Sequence, residues 1–164
     1  MEEIYPLVPL FSNQALGIAL FSYDGSLFWG FNADWDAVPD LHDLEIAGVH
    51  AWPGDVPALT AAAGAAKLRF AVADLNGVNS KAELLAALAK GLSLPPHFGN
   101  NWDALADSVE DGDWLGKHGC VIALSHSGPY RKAHGVDWTT CEDILAEASD
   151  YWRERHKPFW VFVA

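Results

Sequence analysis

The chain has 164 residues, 51% of them apolar and 12% aromatic, with 22 Asp and Glu against ten Lys and Arg for a formal net charge of −12. The length suits one ordinary domain with ample material for a packed core. The charge excludes phosphate backbones and anionic membrane surfaces as partners and makes a basic protein the natural one.

The acidity is uneven: residues 1–66 hold nine acids and no Lys or Arg, whereas 67–164 hold thirteen acids and all ten bases. Taken in chain order, Ala15–Tyr23 and Ser26–Asn32 are two apolar runs flanking Asp24-Gly25, the strongest short-range hairpin signal. A lone hairpin is marginal in water, so Phe21, Phe28, Trp29 and Phe31 must bury against the sheet, a partner or a second copy of the chain, which makes a homo-oligomer through the hairpin one expectation. Pro57–Ala66, following Pro53-Gly54, is either a linker or a short helix, because Ala has the highest helix propensity. Two regions are expected, a hairpin segment with linker over 1–66 and a domain over 67–164.

In the second region Leu68–Ala73 reads as a strand. Ser80 and Glu83 form a capping box for a helix that runs through Leu84, Leu85 and Leu88 and stops at Gly91. Asn100 or Asn101 caps a second helix whose apolar stripe is Trp102, Leu105 and Val109. Cys120–Leu124 is a short buried strand, followed by a polar loop at Ser125–Gly128. Thr139 or Thr140 caps a helix through Ile144, Leu145, Ala148 and Trp152, with Arg153, Arg155 and His156 well placed at its C-terminal end, and Phe159–Val163 is a closing strand. Alternating strands and helices with near-continuous apolar strands predict an α/β fold: a small three-stranded parallel sheet packed by helices, preceded by the β-hairpin.

The helix after Asn101 carries the most informative feature. From Gly91 to Gly116 there is no Lys or Arg, yet Asp103 and Asp107 stand one turn apart, with Glu110, Asp111 and Asp113 close behind. Like charges at i and i+4 cost a helix a few tenths of a kcal/mol. The helix dipole accounts for Asp103 in the first turn but not for Asp107 further along. Fixed negative charge offered to a cationic surface, as a phosphate backbone offers it, accounts for both.

Pro95-Pro96-His97-Phe98-Gly99 followed by Asn101-Trp102-Asp103-Ala104-Leu105 and Asp107 resembles the binding loop and helix of the barstar family, intracellular inhibitors of secreted ribonucleases. The order of strands and helices over about 67–164 is similar as well. The resemblance implies a barstar-like fold, no enzymatic activity and a basic, barnase-like microbial ribonuclease as partner. It also implies contacts from His97, Phe98, Gly99, Asn101, Trp102, Asp103 and Asp107, and from an acid of the late helix that falls near Asp150. Here His97 and Phe98 replace two adjacent tyrosines and Ala106 a tryptophan, so the aromatic contact surface differs. Ile4–Leu10, Gly17-Ile18-Ala19, Ser22–Gly25, Trp29-Gly30 and Val38-Pro39-Asp40 resemble the C-terminal piece of wax ester synthase/diacylglycerol acyltransferases. The catalytic His-His-x-x-x-Asp-Gly of that family is missing, so this resemblance implies a hairpin and no acyl transfer.

Other chemistry finds little footing. No pair among the seven histidines has helical metal-ligand spacing, and neither a phosphate loop nor a dinucleotide fingerprint occurs, so no metal and no cofactor are expected. Met1-Glu2-Glu3 is no basic leader, no apolar run reaches membrane length, and Cys120 and Cys141 read as reduced structural thiols, which together predict a cytoplasmic protein.

Overall fold

The computed structural model describes residues 16–23, 26–33, 38–52 and 56–164, the first two stretches as backbone alone. The chain divides into two compact units, residues 1–39 and 40–164. In the first, β1 (Leu16–Tyr23) and β2 (Ser26–Ala33) pair antiparallel, from Leu16 opposite Ala33 to Tyr23 opposite Ser26. The expected hairpin is therefore present as a ladder. Its turn Asp24-Gly25, the side chains of Phe21, Phe28, Trp29 and Phe31, and the Pro53-Gly54 pair lie outside the described residues.

The second unit runs β3 (Val49–Ala51), α1 (Val56–Ala65), β4 (Arg69–Asp74), α2 (Lys81–Gly91), α3 (Trp102–Val109), α4 (Gly112–Leu115), β5 (Cys120–Ser125), α5 (Gly128–Ala133), α6 (Gly135–Glu154) and β6 (Phe159–Val163). Its sheet is parallel, in the order β3-β6-β5-β4. Four strands thus replace the expected three. β3 escapes sequence reading because three residues cannot show an alternation. It exists because β6 would otherwise be an open edge: Gly48 O accepts from Val161 N and Val163 O accepts from Trp52 N, each at 2.9 Å.

Position in the sheet explains composition. The central strands β5 and β6 are buried almost end to end, so Val121-Ile122-Ala123-Leu124 and Phe159–Val163 are continuous apolar runs. Ile122, Leu124, Phe159 and Val161 join Leu84, Leu85 and Leu88 of α2, Leu105 of α3 and Leu145 of α6 in one core cluster. Alternate residues of β6 meet the segment before α1. Trp160 and Phe162 stack at 5.8 Å, His50 lies 5.3 Å from Trp160, Trp52 lies 5.7 Å from Phe162, and the Trp160 indole N–H donates to Leu41 O. These contacts tie residues 40–52 to the sheet. The alternative of a helix over 57–66 is the one realised, as α1, which packs on β4 and β5 with Leu59 and Ala63 buried. The second unit consequently starts at Asp40, well before the 66/67 boundary expected from composition.

Ser80 caps α2, its Oγ accepting from Glu83 N at 3.3 Å. The reciprocal bond of the box goes one residue back, from Asn79 N to Glu83 Oε2 at 2.7 Å. Gly91, the last residue of this helix, is held to glycine because a Cβ there would sit 2.4 Å from Val72 O and 2.5 Å from Ala73 Cα, and two residues on Ser93 turns left-handed at φ 53°. The late helix begins at Gly135, ahead of Thr139 and Thr140. Thr140 Oγ1 instead donates back to Val136 O. The expected polar loop contributes Ser127, which is buried with its N–H and hydroxyl both donating to Ala164 O, before α5 begins. Cys120 and Cys141 are free and buried, and burial pushes both thiols up to about 12. Among the described residues no helix is long and apolar enough to cross a membrane.

Candidate functional site

Two consecutive asparagines set the start of α3. Asn100 adopts a left-handed φ of 49°, which Asn tolerates better than most residues. Asn101 is extended, and its Oδ1 accepts from Ala104 N at 2.8 Å, so the cap expected at either residue falls on Asn101. Its amide nitrogen donates to Gly99 O at 3.4 Å. A Cβ on Gly99 would come within 3.2 Å of that amide and 3.4 Å of Ala104 Cβ, which favours glycine here. Phe98 N donates to Pro95 O at 2.9 Å, completing a tight loop ahead of the helix.

The helix buries Leu105 and Val109 and turns Asp103 and Asp107 outward. Both aspartates are exposed, and among the described residues neither has an ion-pair partner; the same holds for Glu110, Asp111 and Asp113. Asp111 does local work: its Oδ1 accepts from Asp113 N and Trp114 N and caps α4. Asp103 and Asp107 make no such bond among those described, so their negative charge is presented to solvent one turn apart, with Cβ atoms about 5–6 Å from each other.

The aromatic neighbours divide. His97 is exposed, whereas Phe98 and Trp102 are half-buried and pack on the core cluster. The Lys81 ammonium sits over the Trp102 ring at 4.8 Å. Asp150 is on α6, which packs against α3 and donates from Trp152 Nε1 to Val109 O at 2.9 Å. Unlike the α3 aspartates, Asp150 is ion-paired within its own helix, to Arg153 at 2.5 Å. Arg153 reaches further, donating to Leu44 O and Ala47 O and so holding the segment ahead of β3.

Sequence reading missed what holds the acidic segment in place. Leu92 O accepts from Arg69 Nη2 and from Trp114 Nε1, each at 2.9 Å, and Arg69 Nη1 donates to Trp114 O. With its guanidinium 4.7 Å from the Trp114 ring centroid, Arg69 ties together the two ends of the stretch that bears α3. A strand arginine carries no mark of such a role, since its partners are backbone carbonyls 23 and 45 residues away. Lys81 was equally hidden, as it reads only as the first residue of a helix.

Over residues 68–164 the chain matches the family described as Barstar (barnase inhibitor), and over residues 1–48 it matches the WS/DGAT C-terminal domain. Both β3 and α1 lie between the two matches, in residues 49–67. No individual curated protein matches the chain. The first match takes in more than half of the sequence, with α3, its loop and Arg69 all inside it, and on that ground the chain belongs to the barstar family.

Proposed function

We propose that this protein is a non-enzymatic inhibitor of a barnase-like microbial ribonuclease, covering the enzyme's basic active site with α3 and the loop before it. In this reading Asp107 enters the phosphate-binding cluster of Arg, Lys and His, and Asp103 adds charge at the rim. Gly99 and Asn101 shape the loop, while His97, Phe98 and Trp102 supply contact area. Asp150 adds a carboxylate from α6. Occupying a phosphate pocket requires geometry and charge but no bond-making step. A bacterial cytoplasm, where such an inhibitor protects the cell from its own nuclease, completes the proposal.

The observation that carries it is the pair of exposed aspartates on a rigidly capped helix with no cation paired to them among the described residues, in a member of a barnase-inhibitor family. Opposite charges of this kind steer encounter, as they do in the barnase–barstar pair itself. Titrating barnase-type ribonucleases with the full chain should give stoichiometric inhibition, with an association rate that falls steeply as salt rises. An association rate indifferent to salt would remove the phosphate-mimic explanation.

One set of residues favours a second reading, an interaction or immunity protein for some other basic partner. Tyr-to-His97, Tyr-to-Phe98 and Trp-to-Ala106 differences alter the contact surface, and Phe98 spends part of its area on the core. Inhibition absent for barnase-type enzymes but present for another basic toxin would select it. Self-association through the β1–β2 hairpin belongs to the same set of proposals and is read directly by sedimentation.

A further inference from the structure

The N-terminal edge of the parallel sheet carries an open cavity of about 490 Å³. Among the described residues its titratable lining consists of Lys67, Lys117, Lys157, His42, His118 and His156, with no acidic side chain. In a chain with 22 acids and ten Lys and Arg, three ammoniums and three imidazoles converging on one cavity is a reversal of the prevailing charge. The topology produces it: Lys67 precedes β4, Lys117 and His118 precede β5, and His156 and Lys157 precede β6.

Local geometry shows how the side chains are held. Lys67 and His156 adopt left-handed φ values of 59° and 56°, a conformation that favours glycine, and they close the C-terminal ends of α1 and α6. The β5 and β6 approaches are in close contact, for a Cβ on Gly119 would lie 2.3 Å from Pro158 O. The Lys157 ammonium donates to Gly116 O at 3.3 Å and lies 5.2 Å from the Trp152 ring, leaving its remaining N–H donors for a further acceptor. Bases near helix C-termini satisfy the helix dipole. That explanation covers Lys67 and His156 but not Lys117 and His118, which stand on the loop after α4, a helix of only four residues.

We propose that this cavity is an anion site for a small, multiply charged phosphate compound of the pyrophosphate class, such as a nucleoside diphosphate. Three ammoniums match a charge near −3, and lysine binds phosphate as a compact point charge. The volume suits a small molecule. None of the α3 residues lines the cavity, so the site is separate from the acidic surface.

The test is calorimetric titration of the full chain with inorganic pyrophosphate at low ionic strength, with sulfate as the comparison anion. Saturable one-to-one binding is expected, tighter for pyrophosphate than for sulfate and weakened by about tenfold or more in Lys67→Gln/Lys117→Gln. Lys90→Gln, on the exposed end of α2 and outside the cavity, should leave it unchanged. If the double variant loses its fold by circular dichroism, Lys117→Gln alone, on an exposed loop, serves in its place. Absence of saturable binding at millimolar pyrophosphate, equal affinity for sulfate, or an equal loss in Lys90→Gln would overturn the proposal. Displacement of pyrophosphate by a short oligoribonucleotide at lower concentration would overturn the choice of a small ligand.

Discussion

Replacing Asp107 by Asn should move stability and binding in opposite directions. In the free protein Asp107 is exposed, without an ion-pair partner among the described residues, and has Asp103 at i−4 on the same helix and Glu110 at i+3, the C-cap residue. Each like-charged neighbour costs about 0.2–0.5 kcal/mol, so removing the central charge relieves roughly 0.4–1 kcal/mol. Asn keeps the shape of the side chain, and the apolar stripe of Leu105 and Val109 is untouched. The melting temperature should therefore rise by about 1–4 °C. In the complex the same substitution leaves the ribonuclease's cations without their counter-charge, at a cost of about 2–5 kcal/mol, a range that barnase–barstar itself helped to establish and that is taken over by analogy. The corresponding loss in Kd is about thirtyfold to several thousandfold. Asp103→Asn should behave differently, because it relieves the same pair repulsion of about 0.2–0.5 kcal/mol but forfeits about 0.3–1 kcal/mol that a first-turn carboxylate gains from the helix dipole, so its stability should change little or fall slightly. Thermal unfolding and inhibition titration on the wild type and the two variants, with Asp111→Asn as a third, measure both axes. Equal binding losses at all three positions, or a fall in melting temperature for Asp107→Asn, would refute the reasoning and point to diffuse attraction.

Three further outcomes follow from the packing. Gly91→Ala forces a Cβ to within 2.4 Å of Val72 O, so chemical denaturation should show a loss of about 1–3 kcal/mol; no loss would mean that the end of α2 yields freely. A chain beginning at Asp40 should unfold as cooperatively as the full protein. One beginning at Lys67 loses β3 and α1, opens the β6 edge, and gives up the burial of Trp52 and Leu59 at about 1.5–3 kcal/mol each, so it should aggregate or melt much lower. Asp74 is held below its usual carboxylate value by the Asn76 N–H and by the His126 ring 2.8 Å away. A depressed folded value stabilises above the ordinary carboxylate range and is lost as pH falls through it. Melting curves between pH 5 and pH 2 should therefore have a shallower acid limb in Asp74→Ala.

Much of the second unit was legible from local pattern. Apolar runs marked β5 and β6 and, interrupted by Arg69, β4; Ser80 with Glu83 marked α2, and the Asn cap with Trp102, Leu105 and Val109 marked α3, because each signal sits within a few residues of the element it specifies. The candidate site was legible for the same reason: Asp103 and Asp107 announce themselves by spacing and by the missing bases between Gly91 and Gly116. Long-range requirements decided the rest. β3 forms only because β6 needs a neighbour, and α1 was ambiguous until β4 and β5 offered it a surface. Residues 40–66 join the second unit because Trp160 and Phe162 must be covered. Arg69 clamps the acidic stretch through carbonyls that only the folded chain brings near it. Six basic side chains, spread from His42 to Lys157 with nothing along the sequence to group them, face one cavity because parallel strands return every connection to the same edge.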